Sequence, residues 1–203
     1  FGFTEALDTR YKLVHLQTHE VAKLPHMNDI IGPVTNPVDP SIMTRRILGV
    51  NHLISPTIVA QAYKILNEKG ITNLQHGLFI RGFCNDNGEG GMDELSIFQG
   101  GTQIAELKNG EIKNYWLRAQ DFGLKPVAQE LISPQGMSKG TFSLTILTGA
   151  PAQMVAANAA LLFWLAEKSA DLKVCYKEAE EILLSGQAHQ KMLAVQQMLP
   201  KKR

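Results

Sequence analysis

The chain has 203 residues, of which 44% are hydrophobic and 19% charged, with a formal net charge of +1. That length permits one good core with room for a lobe, and the near-neutral charge excludes a global basic field for nucleic acid or an anionic membrane. Cys84 and Cys175 give no disulfide framework, and neither a signal peptide nor a bilayer-long apolar run is present, so a soluble cytoplasmic protein without membrane attachment is expected.

The first 38 residues show no clear period and contain His15, His19 and His26 among prolines, which suggests short helical pieces entering a loop. His19-Glu20 is not a zinc-protease motif, because Lys23 stands where the second histidine of one helix face is required. Ile30–Pro40 packs three prolines and a glycine into a stiff, irregular connection of the kind that can line a site. Arg45 to Val50 reads as a short buried strand. Ser55-Pro56 then supplies a helix cap followed by proline at the first helical position, and Gly70 a left-handed stop. With a second strand over Gly77–Phe83, this succession is a βαβ unit, so a parallel sheet with a right-handed crossover is predicted.

That second strand runs into a glycine-rich acidic turn, NDNGEGGMDEL, where open α/β sheets commonly place ligands. Its chemical centre is the pair Asp93-Glu94. Two adjacent carboxylates on a rim are candidate ligands for Mg²⁺, which is usually held by one or two carboxylates together with substrate phosphates. A merely solvated acidic turn is the competing reading. An EF-hand loop is disfavoured, since Phe83 would fall at the first ligand position. Gly88, Gly90 and Gly91 could form an anion nest, although no Lys-Ser/Thr ending of a P-loop follows. Arg81, beside the turn, is expected to pair with Asp86 or Glu89 in preference to a phosphate.

Asn109-Gly110 between Thr102–Lys108 and Glu111–Leu117 predicts a two-residue hairpin appended to the parallel sheet. Asp121-Phe122-Gly123 spells a kinase metal motif without the accompanying catalytic loop and is set aside. The following stretch to Thr148 reads as a long surface excursion. A helix beginning at Pro151 is apolar around nearly its whole circumference and should be buried on most sides; Asn158 inside it needs partners, with core hydrogen bonds favoured over a ligand. An amphipathic helix over Leu172–Ser185, stopped by Gly186, and a last helix to Leu199 complete the chain, and Lys201-Lys202-Arg203 reads as a solubilising tail. The fold class expected is α/β, a mostly parallel sheet with flanking helices plus an antiparallel hairpin.

Taken together, GPVTNP (Gly32 to Pro37), ILGV (Ile47 to Val50), GGMDELS (Gly90 to Ser96), AELKNGEI (Ala105 to Ile112), DFGL (Asp121 to Leu124) and GAPAQMVAANAALLF (Gly149 to Phe163) resemble anthranilate phosphoribosyltransferase and its glycosyltransferase family 3 relatives in order and spacing. The resemblance implies the C-terminal portion, here residues 1–203, of a nucleoside phosphorylase / phosphoribosyltransferase-like α/β domain. It implies transfer of phosphoribosyl from phosphoribosyl pyrophosphate to an aromatic amine, of the tryptophan-biosynthesis type, with Mg²⁺ as cofactor. Asp93 and Glu94 stand at the family's metal-binding acidic pair, and Gly32 and Pro33 match the loop lining its anthranilate site.

The family's Gly-rich phosphate loop and N-terminal helical lobe, the latter carrying its dimer interface, do not occur in this sequence, so the isolated chain is expected to be inactive and no dimer is assumed. The arginines that precede Gly-Pro in the anthranilate enzymes have no counterpart, His19 falling near the key place, and Arg81 replaces a usual histidine. The alternative is a non-catalytic relative of the same fold that binds nucleic acid, which the missing arginines favour and the near-neutral charge opposes.

Overall fold

In this computed structural model, residues 41–50, 54–89, 91–132, 136–138, 142, 145–147 and 149–198 are described. Four strands, β1 (Arg45–Gly49), β2 (His76–Phe83), β3 (Gly101–Lys108) and β4 (Glu111–Leu117), form one sheet in the order β1-β2-β3-β4. β1 and β2 pair in parallel, from Arg45 opposite His76 to Gly49 opposite Ile80. The predicted βαβ unit is therefore present, and the fold class is α/β with a mixed sheet.

The crossover helix α1 spans Pro56–Glu68. Ser55, in extended conformation, accepts a hydrogen bond from the Thr57 amide with Pro56 at the helix start, and Gly70 turns the chain out at φ 67°. Asn67 then closes the connection to β2. Its side chain donates to the Leu74 carbonyl at 2.7 Å and accepts from the Leu74 amide at 3.0 Å. The buried face of α1 presents Val59, Ala60 and Tyr63, which form one core with Leu48, Val50, Leu74, Phe79, Ala105 and Leu107.

β3 and β4 meet at Asn109 and Gly110, both at positive φ (51° and 84°), the backbone a two-residue hairpin turn needs to match strand twist. The Asn109 amide donates to the Gln75 carbonyl at 2.8 Å, tying the turn to the entrance of β2.

The chain divides into two compact units, Phe1–Gly82 with Gly91–Glu94 and Gln103–Trp116, and Phe83–Gly90 with Leu95–Thr102 and Leu117–Arg203. The second unit contains three helices, α2 (Gly149–Leu165), α3 (Leu172–Leu184) and α4 (Gln187–Met198), with α2 packed on α3 and α3 on α4. The DFG segment lies in a 3-10 turn, Ala119–Phe122, that packs against α3. There the Asp121 carboxylate accepts from the Arg118 amide at 2.7 Å, Phe122 is buried and Gly123 adopts φ 79°, which explains the motif as local structure.

One expectation needs correcting here: α2 starts at Gly149, before Pro151. Its burial is as expected, since over residues 151–165 every position is buried or half-buried except Leu162, which is 54% exposed. Ala156, Ala157 and Ala160 are buried, while Phe163 is flanked by the Lys168 ammonium 4.5 Å from its ring centre. Among the described residues no helix is long and apolar enough to cross a membrane.

Candidate metal site at the strand ends

After β2 the chain turns through residues 84–89, and Asn85 organises that turn. Its side-chain oxygen accepts from the Asn87 and Glu89 amides at 3.1 and 3.2 Å, its carbonyl accepts from the Gly88 amide at 3.2 Å, and its amide group donates to the Glu89 carboxylate at 2.9 Å. The amides at 87, 88 and 89 are thus committed to Asn85. The anion nest considered for this segment is filled from within at Gly88, and Gly90 lies outside the described residues. Asp86 pairs with Arg118 at 3.1 Å, and this hydrogen bond, with a weaker one from Gln99, holds its carboxyl below the usual carboxylate range.

Arg81 does not take either expected partner. Its guanidinium donates to the Gln103 side-chain oxygen at 2.8 Å and the Ile54 carbonyl at 3.3 Å, which anchors the approach to α1 on the sheet.

The chain returns to the sheet at Met92, which exchanges two backbone hydrogen bonds with Gly82, each 2.9 Å, in an isolated antiparallel bridge. This bridge delivers Asp93 and Glu94 to the carboxyl ends of the parallel strands, beside Gly49 at the end of β1. Both acidic residues are exposed, and neither carboxylate has a hydrogen-bond or ion-pair partner among the described residues. Although the Glu94 side chain reaches solvent, the protein packed around it and then the like charge of Asp93 push its carboxyl above the usual range. A cation between the two would relieve both penalties.

No group of three or more His, Cys, Asp or Glu able to hold a metal exists among the described residues. The donor set is therefore two adjacent oxygen ligands without a protein cage. That set fits Mg²⁺, which keeps several waters and completes its shell with phosphate oxygens. Gly32 and Pro33 lie outside the described residues. A polar cleft of about 370 Å³ lined by Glu106, Lys108, Asn109, Glu111 and Lys113 sits on the hairpin and does not include the acidic pair.

Directly after the pair, Leu95 is fully buried, and Asn158 of α2 binds both of its backbone groups. The Asn158 oxygen accepts from the Leu95 amide at 3.0 Å, and its amide nitrogen donates to the Leu95 carbonyl at 3.2 Å and to Met154 at 2.9 Å. The core role expected for Asn158 is what the structure shows. Asn158→Leu should destabilise the chain by about 2–4 kcal/mol, since two buried backbone groups lose their partner. Urea unfolding checks this, and a change under about 0.5 kcal/mol would contradict it.

Sequence reasoning missed two polar residues of the same segment, Ser96 and Thr102, which are 1% and 0% exposed. The Ser96 hydroxyl donates to the Phe83 carbonyl at 2.7 Å, and the Thr102 hydroxyl accepts from the Ser96 amide at 2.7 Å. The available signal was a hydroxyl set inside an apolar run, LSIF.

A model of the glycosyl transferase family, a/b domain, matches residues 3–189. Among curated relatives, the anthranilate phosphoribosyltransferase of Pectobacterium carotovorum is 32% identical over 199 residues, covering 96% of this chain and 48% of the relative. That of Nitrosospira multiformis is 30% identical over 168 residues, covering 81% and 45%. The chain thus spans less than half the length of these relatives. Anthranilate phosphoribosyltransferase from Saccharomyces cerevisiae in complex with 4-fluoroanthranilate superposes with a TM-score of 0.61 at 22% identity, over 84% of this chain and 46% of that one. A variant of the yeast enzyme with Mg bound gives 0.62 at 21% identity, over 86% and 48%. The two superpositions agree with the α/β architecture, and the match over residues 3–189 means that the chain belongs to the glycosyl transferase family, within its a/b domain.

Proposed function

We propose that this chain is the C-terminal portion of a Mg²⁺-dependent phosphoribosyltransferase, in which an anthranilate-like aromatic amine attacks C1 of phosphoribosyl pyrophosphate and the bond to pyrophosphate breaks. The observation that carries the proposal is the unpartnered pair Asp93-Glu94 at the carboxyl ends of β1 and β2. Family membership and the names of the relatives support the reaction class, and the yeast structure with Mg bound supports the cofactor.

In this reading Asp93 and Glu94 hold the metal, which when bound would neutralise charge on the leaving pyrophosphate. The chain's own contribution is orientation. The Gly82–Met92 bridge fixes where the two carboxylates leave the sheet, and their exposure leaves the remaining positions to water and phosphate oxygens. Gly32 and Pro33 are proposed to line the acceptor side, on the resemblance of GPVTNP to the family's acceptor loop. Because the relatives extend over about twice the matched length, the helical lobe and phosphate loop of the complete enzyme are proposed to come from outside this region, in a cytoplasmic protein.

Calorimetric titration of the complete protein, with this region joined to the proposed helical lobe and phosphate loop, against phosphoribosyl pyrophosphate in the presence of Mg²⁺, then of a chelator, tests the proposal. Binding that vanishes on metal removal is expected. Binding that persists unchanged, or is absent in both conditions, overturns it.

A further inference from the structure

We infer that Gly49 is a positioning residue for the acidic pair: its missing side chain sets where Asp93, and with it the metal, can sit. A methyl group on Gly49 would stand 1.6 Å from the Asp93 carbonyl oxygen, 2.6 Å from its carbonyl carbon and 3.1 Å from its Cβ. Ordinary van der Waals contact begins near 3.4 Å, so any side chain at Gly49 forces a displacement of roughly 1.5–2 Å along that direction.

The displacement falls on Asp93. β1 is locked by five parallel pairs with β2, by the Val50 amide donating to Ile80 at 2.8 Å, and by burial of Leu48 and Val50 at 7% and 4% exposure. Among the described residues the acidic segment is pinned at its flanks, by the Gly82–Met92 bridge before it and by the Asn158 hydrogen bonds to Leu95 after it, and Asp93 lies between these points. The weaker restraint yields, and the Asp93 Cβ moves with its backbone. Mg²⁺ demands near-ideal octahedral geometry, and two carboxylates that move apart by more than an ångström cannot both meet it. A glycine inside a strand pattern signals such a close backbone approach, and here the approaching backbone carries a proposed ligand.

This inference rests on the metal reading above, so the test separates the two. Mn²⁺ serves as a spectroscopic substitute for Mg²⁺, and its affinity in the presence of pyrophosphate is read by electron paramagnetic resonance on the wild-type chain and on Gly49→Ala. Thermal unfolding of the same samples shows whether the variant is folded. The expected result is a loss of affinity of about tenfold or more in a variant that still unfolds cooperatively, because a geometric error of 1 Å at a site costs far more than that.

If Gly49→Ala does not fold, a ¹H–¹⁵N titration of the wild-type chain with Mg²⁺ and pyrophosphate decides. The Gly49 amide should then shift together with those of Asp93 and Glu94. No metal response at Asp93 and Glu94 defeats the metal reading itself. A response there with a silent Gly49 amide, or wild-type Mn²⁺ affinity in folded Gly49→Ala, defeats the positioning role alone.

Discussion

Replacing Asp93 with asparagine is expected to weaken Mg²⁺-dependent binding of phosphoribosyl pyrophosphate by about tenfold or more, equivalent to about 1.4 kcal/mol. The substitution keeps the shape of the side chain and removes one of the two proposed anionic ligands, in a donor set that the described residues do not extend to a third. Asp93 is exposed and makes no hydrogen bond or ion pair among the described residues, so folding stability should change by less than about 0.5 kcal/mol. Binding and stability therefore respond separately. Equal affinity in the two proteins would remove Asp93 from the site. The acid limb of binding supplies a second readout: with Glu94 held above the usual carboxylate range by burial and by Asp93, protonation begins to remove a ligand at a higher pH than for an ordinary glutamate. In Asp93→Asn the repulsive part of that shift disappears, and the acid limb should move to lower pH.

Phe79→Ala should have the largest effect on stability, a loss of about 3–5 kcal/mol. Phe79 is fully buried in β2, its ring centre lies 5.2 Å from that of Tyr63, and it joins α1, β1 and β3 in one core. Truncation would leave a cavity bounded by sheet residues that cannot close in, because the strand register fixes their spacing. Urea unfolding measures the loss, and Val174→Ala on exposed helix surface is the control, with an expected change within about 0.5 kcal/mol. A cost below about 1 kcal/mol for Phe79→Ala would mean that the sheet and α1 are not packed as described.

The elements that the sequence announced are those written in local chemistry. Ser55-Pro56, Gly70 and Asn109-Gly110 each act through a few neighbouring bonds or a single backbone angle, and all behave as read. Asp93-Glu94 could be singled out as a candidate ligand pair because two adjacent acids follow a strand that ends in a glycine-rich turn, and the structure leaves both carboxylates exposed. What was not legible depended on segments distant in sequence. Arg81 takes Gln103 and Ile54 because its strand position aims it across the sheet, and Asp86 is taken by Arg118, 32 residues away. Asn85 fills a turn whose glycines alone suggested an open anion site. Gly49 reads as an unremarkable strand residue until Asp93 is seen lying on it.

The hairpin also has a consequence for how this chain can change in length. Lys108 and Glu111 are joined by two residues, and the strands beyond them alternate between the face that meets α1, with Ala105, Leu107 and Ile112, and the face bearing Glu106 and Glu111. Side-chain direction in a strand has a period of two, so gaining or losing one residue in the turn would reverse every side chain that follows in β4 relative to β3. Ile112 would turn away from the core it shares with Ala105 and Leu107, and Lys113 would turn toward it. Descendants of this sequence can thus vary the turn by substitution, or by two residues together, but a single codon inserted there would be purged.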